Sequence, residues 1–76
     1  YIYDLNVVNE SVYLLTKKTK DKPQLIVKID SNGDTDSIYT LPDSESYFTG
    51  FAFDKERELV YFTSTDGEIV KAVFKF

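Results

Sequence analysis

Residues 48–76 read FTGFAFDKERELVYFTSTDGEIVKAVFKF, and this stretch decides the fold class of the chain. Two apolar runs flank the charged segment Asp54–Glu58, and a third, alternating run follows the turn Thr65-Asp66-Gly67. Short runs rich in β-branched and aromatic residues, separated by turn residues, are typical of antiparallel strands joined by hairpins. The stretch therefore predicts three consecutive strands, which are Phe48–Phe53, Leu59–Ser64 and Ile69–Phe76.

The residues before this stretch show the same pattern and predict four more strands. Turn residues separate them at Asn9-Glu10, at the polar segment Lys17–Pro23 and at Asn32-Gly33, where Asn-Gly is a strong hairpin signal. Pro42 ends the fourth strand because proline cannot donate to a strand ladder. The predicted strands are residues 2–9, 11–19, Gln24–Asp30 and Ser37–Leu41. Since no segment has helical periodicity, the predicted fold class is all-β with antiparallel sheets.

The composition excludes several classes of protein and of site. The chain has 76 residues, enough for one small domain, and its hydrophobic fraction of 42% is too high for a disordered chain. It contains no His and no Cys, so Ser-His-Asp triads, Cys-His pairs and ordinary zinc sites are excluded. The net charge of −4 argues against nucleic-acid binding, and no apolar run is long enough for a membrane span. The only basic cluster, which we interpret as a solvated hairpin tip, is Lys17, Lys18, Lys20 and Lys22.

The two parts of the chain repeat each other with an offset of about 46 to 48 residues, a period typical of β-propeller blades. Three pairs of segments correspond: Leu5-x-Val7 with Phe51-x-Phe53, Val12-Tyr13-Leu14 with Val60-Tyr61-Phe62, and Gln24–Ile29 with Glu68–Val73. The predicted organisation is a four-stranded repeat over residues 1–42, a connector over 43–47 and an incomplete, three-stranded repeat over 48–76.

The second repeat resembles a known family. The segments Gly50-Phe51-Ala52-Phe53-Asp54 and Leu59–Ser64, followed by Gly67-x-Ile69, are similar to the blades of six-bladed β-propellers of the Tyr-Trp-Thr-Asp, NHL and gluconolactonase-like groups. Phe62 stands where that repeat has Trp, and Ser64 where it has the Asp that braces neighbouring blades. The resemblance implies about one and three-quarter propeller blades. A small seven-stranded barrel or meander is the alternative architecture.

Two blades would leave apolar faces and a strand edge uncovered, because blades stack face to face. We therefore expect other propeller blades or copies of this chain as partners. The open edge beyond Ile69–Phe76 needs a strand from a longer chain, from a neighbouring copy or from Tyr1–Val8 folding back. Because the sequence begins with Tyr1 rather than Met, we expect a processed product or an excerpt of a longer protein.

The resemblance implies a non-enzymatic binding or scaffold module that presents loops and a channel face to protein or carbohydrate, in an extracytoplasmic location. The alternative is an excerpt of a propeller enzyme, a lactonase, lyase or glycoside hydrolase, with its catalytic residues largely elsewhere; no catalytic or cofactor-binding residue is assigned. Propeller ligands bind near first-strand ends and connecting loops, so fold analogy predicts a binding rim there. Its residues, whose other interpretation is packing at a sheet edge, are Tyr1, Tyr3, Asp4, Tyr47 and Phe48.

One acidic loop is a candidate calcium site. Its alternating oxygen-bearing residues are Asp30, Asn32, Asp34 and Asp36. An EF-type loop needs Gly and Glu where this chain has Thr35 and Leu41. The competing interpretation, which we favour, is a solvated hairpin turn in which Asn32-Gly33 supply positive φ angles.

Overall fold

The computed structural model describes residues 1–42 and 46–76, and these form two antiparallel sheets. The strands are β1 (Ile2–Val8), β2 (Ser11–Thr16), β3 (Leu25–Ile29), β4 (Thr35–Thr40), β5 (Phe48–Asp54), β6 (Leu59–Ser64) and β7 (Ile69–Val73). The first sheet has the order β1-β2-β3-β4 and the second has the order β5-β6-β7. The prediction of an all-β fold with antiparallel sheets and seven strands is confirmed. Within the described ranges, no helix is long and apolar enough to cross a membrane.

The first hairpin turn is the predicted one. Asn9 and Glu10 join β1 to β2 and have φ angles of 50° and 66°. Two consecutive residues with positive φ form a type I′ turn, whose twist matches that of the flanking strands. Asparagine tolerates this conformation, but glutamate has no local compensation for it.

The turns between β3 and β4 and between β6 and β7 share another geometry. Gly33 and Gly67 have φ angles of 87° and 84°. Their amides donate to the carbonyls of Asp30 and Ser64, at 3.0 and 3.1 Å. In this turn only the glycine needs the left-handed region, so the expected positive φ at Asn32 is wrong, whereas the predicted hairpin is confirmed.

Strand ends differ from prediction where the partner strand is short. The seventh strand ends at Val73, three residues before the predicted end at Phe76, because its last partner is Leu59, the first residue of β6. The amide of Phe74 instead donates to the carbonyl of Glu58, at 2.8 Å. Similarly, β2 ends at Thr16 rather than Thr19.

The core lies between the two stacked sheets. Alternate residues of each strand point into it, since successive side chains of a strand lie on opposite faces. The buried apolar residues are Tyr13, Leu15 and Ile26 from the first sheet, Phe51, Val60 and Phe62 from the second, and Phe74 after β7. The sheets are closest along β1 and β5, with β2 next to β5 as the other near approach among the described strands.

The pairing registers of the two sheets repeat each other. Leu5 lies opposite Leu14 in the first sheet, as Phe51 lies opposite Phe62 in the second. Irregularities also recur, between Ile2 and Asp4 in β1 and between Phe48 and Gly50 in β5. In the third strands the register aligns Ile29 with Ala72, one residue away from the alignment that the sequence indicates.

The segment Tyr1–Val8 does not cover the open edge of β7, so this one of the three alternatives is wrong, whereas a strand from a longer chain or from a neighbouring copy stays a prediction. Residues Ile2–Val8 form β1 and pair with β2 in the first sheet. The carbonyl of Tyr1 continues this contact by accepting from the amide of Lys17, at 3.0 Å. Among the described strands, β7 pairs with β6 alone.

Candidate functional site

Three of the predicted rim residues meet where the chain passes from the first sheet to the second. Tyr1 precedes β1, Tyr3 lies in it, and Tyr47 precedes β5. The rings of Tyr3 and Tyr47 stack with centroids 5.8 Å apart, and Tyr1 meets Tyr3 edge to face at 5.7 Å. Tyr1 and Tyr47 are exposed and Tyr3 is half-buried. We call Tyr1, Tyr3 and Tyr47 the tyrosine cluster.

The hydroxyl of Tyr3 is neutral at physiological pH. Partial burial raises the pKa of Tyr3, and the neighbouring Tyr47 and Tyr1 raise it further. Because an ordinary tyrosine ionises near pH 10, this hydroxyl stays protonated and can both donate and accept hydrogen bonds.

The loop after β2 extends this surface with lysines. The ammonium of Lys17 lies 5.3 Å from the centroid of the Tyr1 ring, a cation–π distance. An open cavity of about 270 Å³ lies beside them, lined also by Lys22, Pro23 and Leu25. The sequence alone led us to interpret these lysines as a solvated hairpin tip. The predicted topology could have shown that they lie near Tyr1, because the β2–β3 loop and the start of β1 lie at the same end of an antiparallel sheet.

The other two predicted rim residues join the sheets. The carboxylate of Asp4 accepts from the amide of Phe51 at 3.0 Å, and the Asn6 side chain donates to the carbonyl of Phe51 at 2.8 Å. Two side chains of β1 thereby hold both backbone groups of one β5 residue. Phe48 is half-buried and stacks on Phe62, with centroids 4.6 Å apart. In this structure Phe48 is therefore a packing residue, which was the competing interpretation of the predicted rim.

Gln24 makes a third connection between the sheets, which the sequence did not indicate. It is only 4% exposed. Its amide nitrogen donates to the carbonyls of Phe48, at 2.7 Å, and Thr16, at 3.0 Å, while its amide oxygen accepts from the amide of Phe48, at 2.6 Å. We call Asp4, Asn6 and Gln24 the intersheet clamps. A polar residue at the start of a strand gives no signal of such a contact, because Phe48, its partner in the other sheet, lies 24 residues away in the chain.

The acidic loop uses its carboxylates locally. Asp30 Oδ1 accepts from the amides of Asn32 and Asp34, both at 3.0 Å, and thereby supports the turn. Asp36 pairs with the ammonium of Lys28 at 3.0 Å, a hydrogen bond that raises the pKa of Lys28. Outside the undescribed residues 43–45, no group of three or more acidic residues is placed to hold a metal ion. A calcium site stays a prediction for which this geometry gives no support.

The predicted connector, residues 43–47, lies partly outside the described residues, and Tyr47 is its member in the tyrosine cluster. The candidate site thus combines exposed neutral rings, adjacent lysines and a pair of clamped sheets. Comparisons with protein-family models, with curated proteins and with solved structures found no match to this chain.

Proposed function

We propose that this chain is a non-enzymatic binding or scaffold module built from two β-propeller-like blades. The observation that carries the proposal is the order in which the sheets stack. By register, the outward face of the second sheet corresponds to the inward face of the first. A unit that stacks in this way can be extended on both sides by other blades or by copies of itself.

The shape of the sheet pair is compatible with such an extension. The sheets approach along β1 and β5, whereas β4 and β7 lie at the far edges of their sheets. Sheets arranged radially around an axis, with first strands innermost, are the architecture of a propeller.

The tyrosine cluster is the part of this module that we propose for ligand binding. Exposed aromatic rings with a hydroxyl at one end combine an apolar contact surface with a hydrogen-bonding group. Such a surface suits the apolar face of a sugar ring or a peptide side chain. The proposed ligands are therefore proteins or carbohydrates.

The mass of the chain in solution, measured by light scattering across a concentration series, tests the module. We expect association, with a trimer as the closed form, because three pairs of sheets would complete a six-bladed ring. A chain that stays monomeric at every concentration overturns the proposal.

Ligand binding is measured separately through intrinsic tyrosine fluorescence, since the chain has no Trp. Titration with oligosaccharides and with peptides should change the emission of the wild type. Tyr47→Ala should abolish the change, whereas Tyr39→Phe, on β4 and outside the cluster, should preserve it. An equal response in Tyr47→Ala and the wild type would exclude the tyrosine cluster as the site.

A further inference from the structure

Each sheet has one face that the rest of the described chain, residues 1–42 and 46–76, leaves uncovered. On the first sheet this outer face consists of Leu5, Val7, Val12, Leu14, Val27 and Ile38, none of them charged. On the second sheet it includes Gly50, Ala52, Tyr61, Thr63, Ile69 and Lys71, with Asp54, Leu59 and Val73 at its far end. Leu5 is 53% exposed and Ile69 is 74% exposed. Contiguous exposed apolar side chains on a sheet face mark a contact surface rather than ordinary solvent-facing residues.

The register gives the outer face of the second sheet a counterpart inside the molecule. The first sheet's inward pairs Asn6–Tyr13 and Tyr13–Lys28 correspond to the outward pairs Ala52–Tyr61 and Tyr61–Lys71. Tyr61 and Lys71 on the outer face of the second sheet therefore lie at the positions that Tyr13 and Lys28 have on the inward face of the first sheet. The surface on the first sheet is already covered, by β5 and its neighbours.

The outer face of the first sheet likewise has a counterpart in the core. Its pairs Leu5–Leu14 and Val7–Val12 correspond to the inward pairs Phe51–Phe62 and Phe53–Val60 of the second sheet. All of these residues are apolar. The outer face of each sheet thus corresponds to the inward face of the other sheet. Because the two inward faces pack together, the two outer faces have the residues to pack in the same way.

We propose that the outer face of the second sheet binds the outer face of the first sheet of a second copy of this chain, head to tail. This inference rests on the proposed function and names the surfaces through which the module associates. Continuity with the contact between the sheets selects a second copy as occupant, because the copy carries the surface that the register requires.

The outer face of the second sheet has room for the strand that would lie on it. An open hollow of about 460 Å³ lies there, lined by Gly50, Ala52, Tyr61, Thr63 and Ile69, with Phe51 and Phe62 between them along the strands. Within the chain, Phe51 packs beside Asp4 and Asn6. Its counterpart Leu5 from the second copy would enter the hollow, where glycine and alanine permit close approach of the two backbones.

The proposed contact differs from the internal one in a specific way. The clamp residues Asp4 and Asn6 correspond to Gly50 and Ala52, which have no hydrogen-bonding side chain. The β1 backbone of the second copy would therefore be held by apolar contact alone. We expect association that is reversible and weaker than the contact between the two sheets of one chain.

Two single substitutions, each on one outer face, test the head-to-tail geometry. Leu5→Lys places a charge on the first sheet and Ile69→Lys places one on the second, both at exposed positions. Each variant alone should be monomeric by light scattering. A 1:1 mixture should form a heterodimer and nothing larger, because it retains one intact outer face of each kind.

Other outcomes separate the inference from the proposed function. If the wild type is monomeric, both fall. If the wild type associates but either variant alone still dimerises, identical faces bind each other. That result overturns the head-to-tail inference but agrees with the proposed self-associating module. If a lysine variant does not give the wild-type circular dichroism spectrum, Leu5→Thr and Ile69→Thr replace it, because threonine is polar and suits a strand.

A gain of affinity gives an independent test. Ala52→Asn places an amide where Asn6 holds the Phe51 carbonyl, so it should hold the Leu5 carbonyl of the second copy. One added hydrogen bond should lower the dissociation constant about tenfold. Ala52 is preferred to Gly50 because a Cβ at Gly50 would lie 3.0 Å from Thr63 Oγ1. Glu56→Asn, in an exposed turn away from both faces, is the matched control, and equal dissociation constants for Ala52→Asn and this control contradict the proposed register.

Discussion

At the residue scale, Gln24 joins the two sheets through a single carboxamide. Both backbone polar groups of Phe48 bind to it, and its nitrogen also reaches the carbonyl of Thr16. Because Gln24 is buried, removing its amide breaks three hydrogen bonds to part-buried backbone groups. An unsatisfied buried polar group costs about 1 to 3 kcal/mol.

We expect Gln24→Ala to lower the free energy of unfolding by about 2 to 4 kcal/mol, as measured by urea denaturation. Gln24→Met, which has a similar length but no amide, should lose nearly as much, and this separates hydrogen bonding from volume. A midpoint for either variant within experimental error of the wild type would contradict the role assigned to the amide.

Glu10 is a residue in an unfavourable backbone conformation. Its φ of 66° at the second position of a type I′ turn is one that glycine adopts without steric cost. We expect Glu10→Gly to raise the free energy of unfolding by about 0.5 to 1 kcal/mol. Glu10→Ala removes the side chain but keeps a Cβ, so thermal unfolding should show no comparable gain. Stabilisation of equal size in both variants would point to the charge rather than to φ.

Asp54 links stability to pH. Hydrogen bonds from the side chain and the amide of Arg57, at 2.9 and 3.2 Å, lower the pKa of the Asp54 carboxyl group. A carboxyl group whose pKa is lower in the folded state stabilises fully above its unfolded pKa, and this contribution is lost as the pH falls through the folded value. The window therefore lies below about pH 4.

We expect the unfolding temperature of the wild type to fall more steeply below this pH than that of Asp54→Asn. Part of the slope should remain in the variant, because the pKa of Asp66 is also lowered, by its hydrogen bond from Ser64. Parallel curves for Asp54→Asn and the wild type would show that the Asp54–Arg57 contact has no weight in stability.

At the element scale, the segment after β7 packs against the core instead of extending the strand to Phe76 as predicted. Phe74 leaves the ladder after Val73 and packs against Tyr39, Phe53 and Tyr13, with ring centroids 4.8, 4.9 and 5.8 Å away. It thereby covers the first sheet near β4, which no strand of the second sheet approaches closely among the described residues. In the described part of the chain, the side chain of Phe74 therefore covers this end of the core.

We expect Phe74→Ala to destabilise the chain by about 3 to 5 kcal/mol, the usual cost of removing a buried phenylalanine. Phe76→Ala is the matched control, because Phe76 is 40% exposed whereas Phe74 is 7% exposed. Its effect should be less than half as large. Equal losses in chemical denaturation would mean that the segment acts as one unit rather than through Phe74.

At the scale of the whole molecule, the outer faces determine how association should respond to solvent. Most residues of the two faces are uncharged, and the two charged ones placed there by the register, Lys71 and Asp54, have opposite signs. Association through such surfaces is driven by apolar burial, whose signature is a negative heat-capacity change. We expect the dissociation constant to be nearly unchanged between low and high NaCl concentrations. A loss of affinity with added salt, measured by sedimentation, would indicate that charged loops rather than the outer faces make the contact.

The sequence by itself determined the strands, their hairpins and the repeat, because these depend on neighbours within a few residues. Alternating apolar residues and the turns at Asn9-Glu10 and Gly33 are local signals. The fold analogy drawn from the sequence also assigned Tyr1, Tyr3 and Tyr47 to one predicted binding rim. It could not assign Asp4 and Gln24 to the joint between the sheets, since their partners are distant in the chain.

Only the tertiary structure decided which face of each sheet is buried. In β2, residues on both faces are apolar, so alternation could not choose between Tyr13 and Leu15 on one side and Val12 and Leu14 on the other. The structure buries the first pair and leaves the second half-buried. The physical reason is that the intersheet clamps bind β5 from the side of Asp4 and Asn6. Burial therefore follows from hydrogen bonds between the sheets that no local pattern contains.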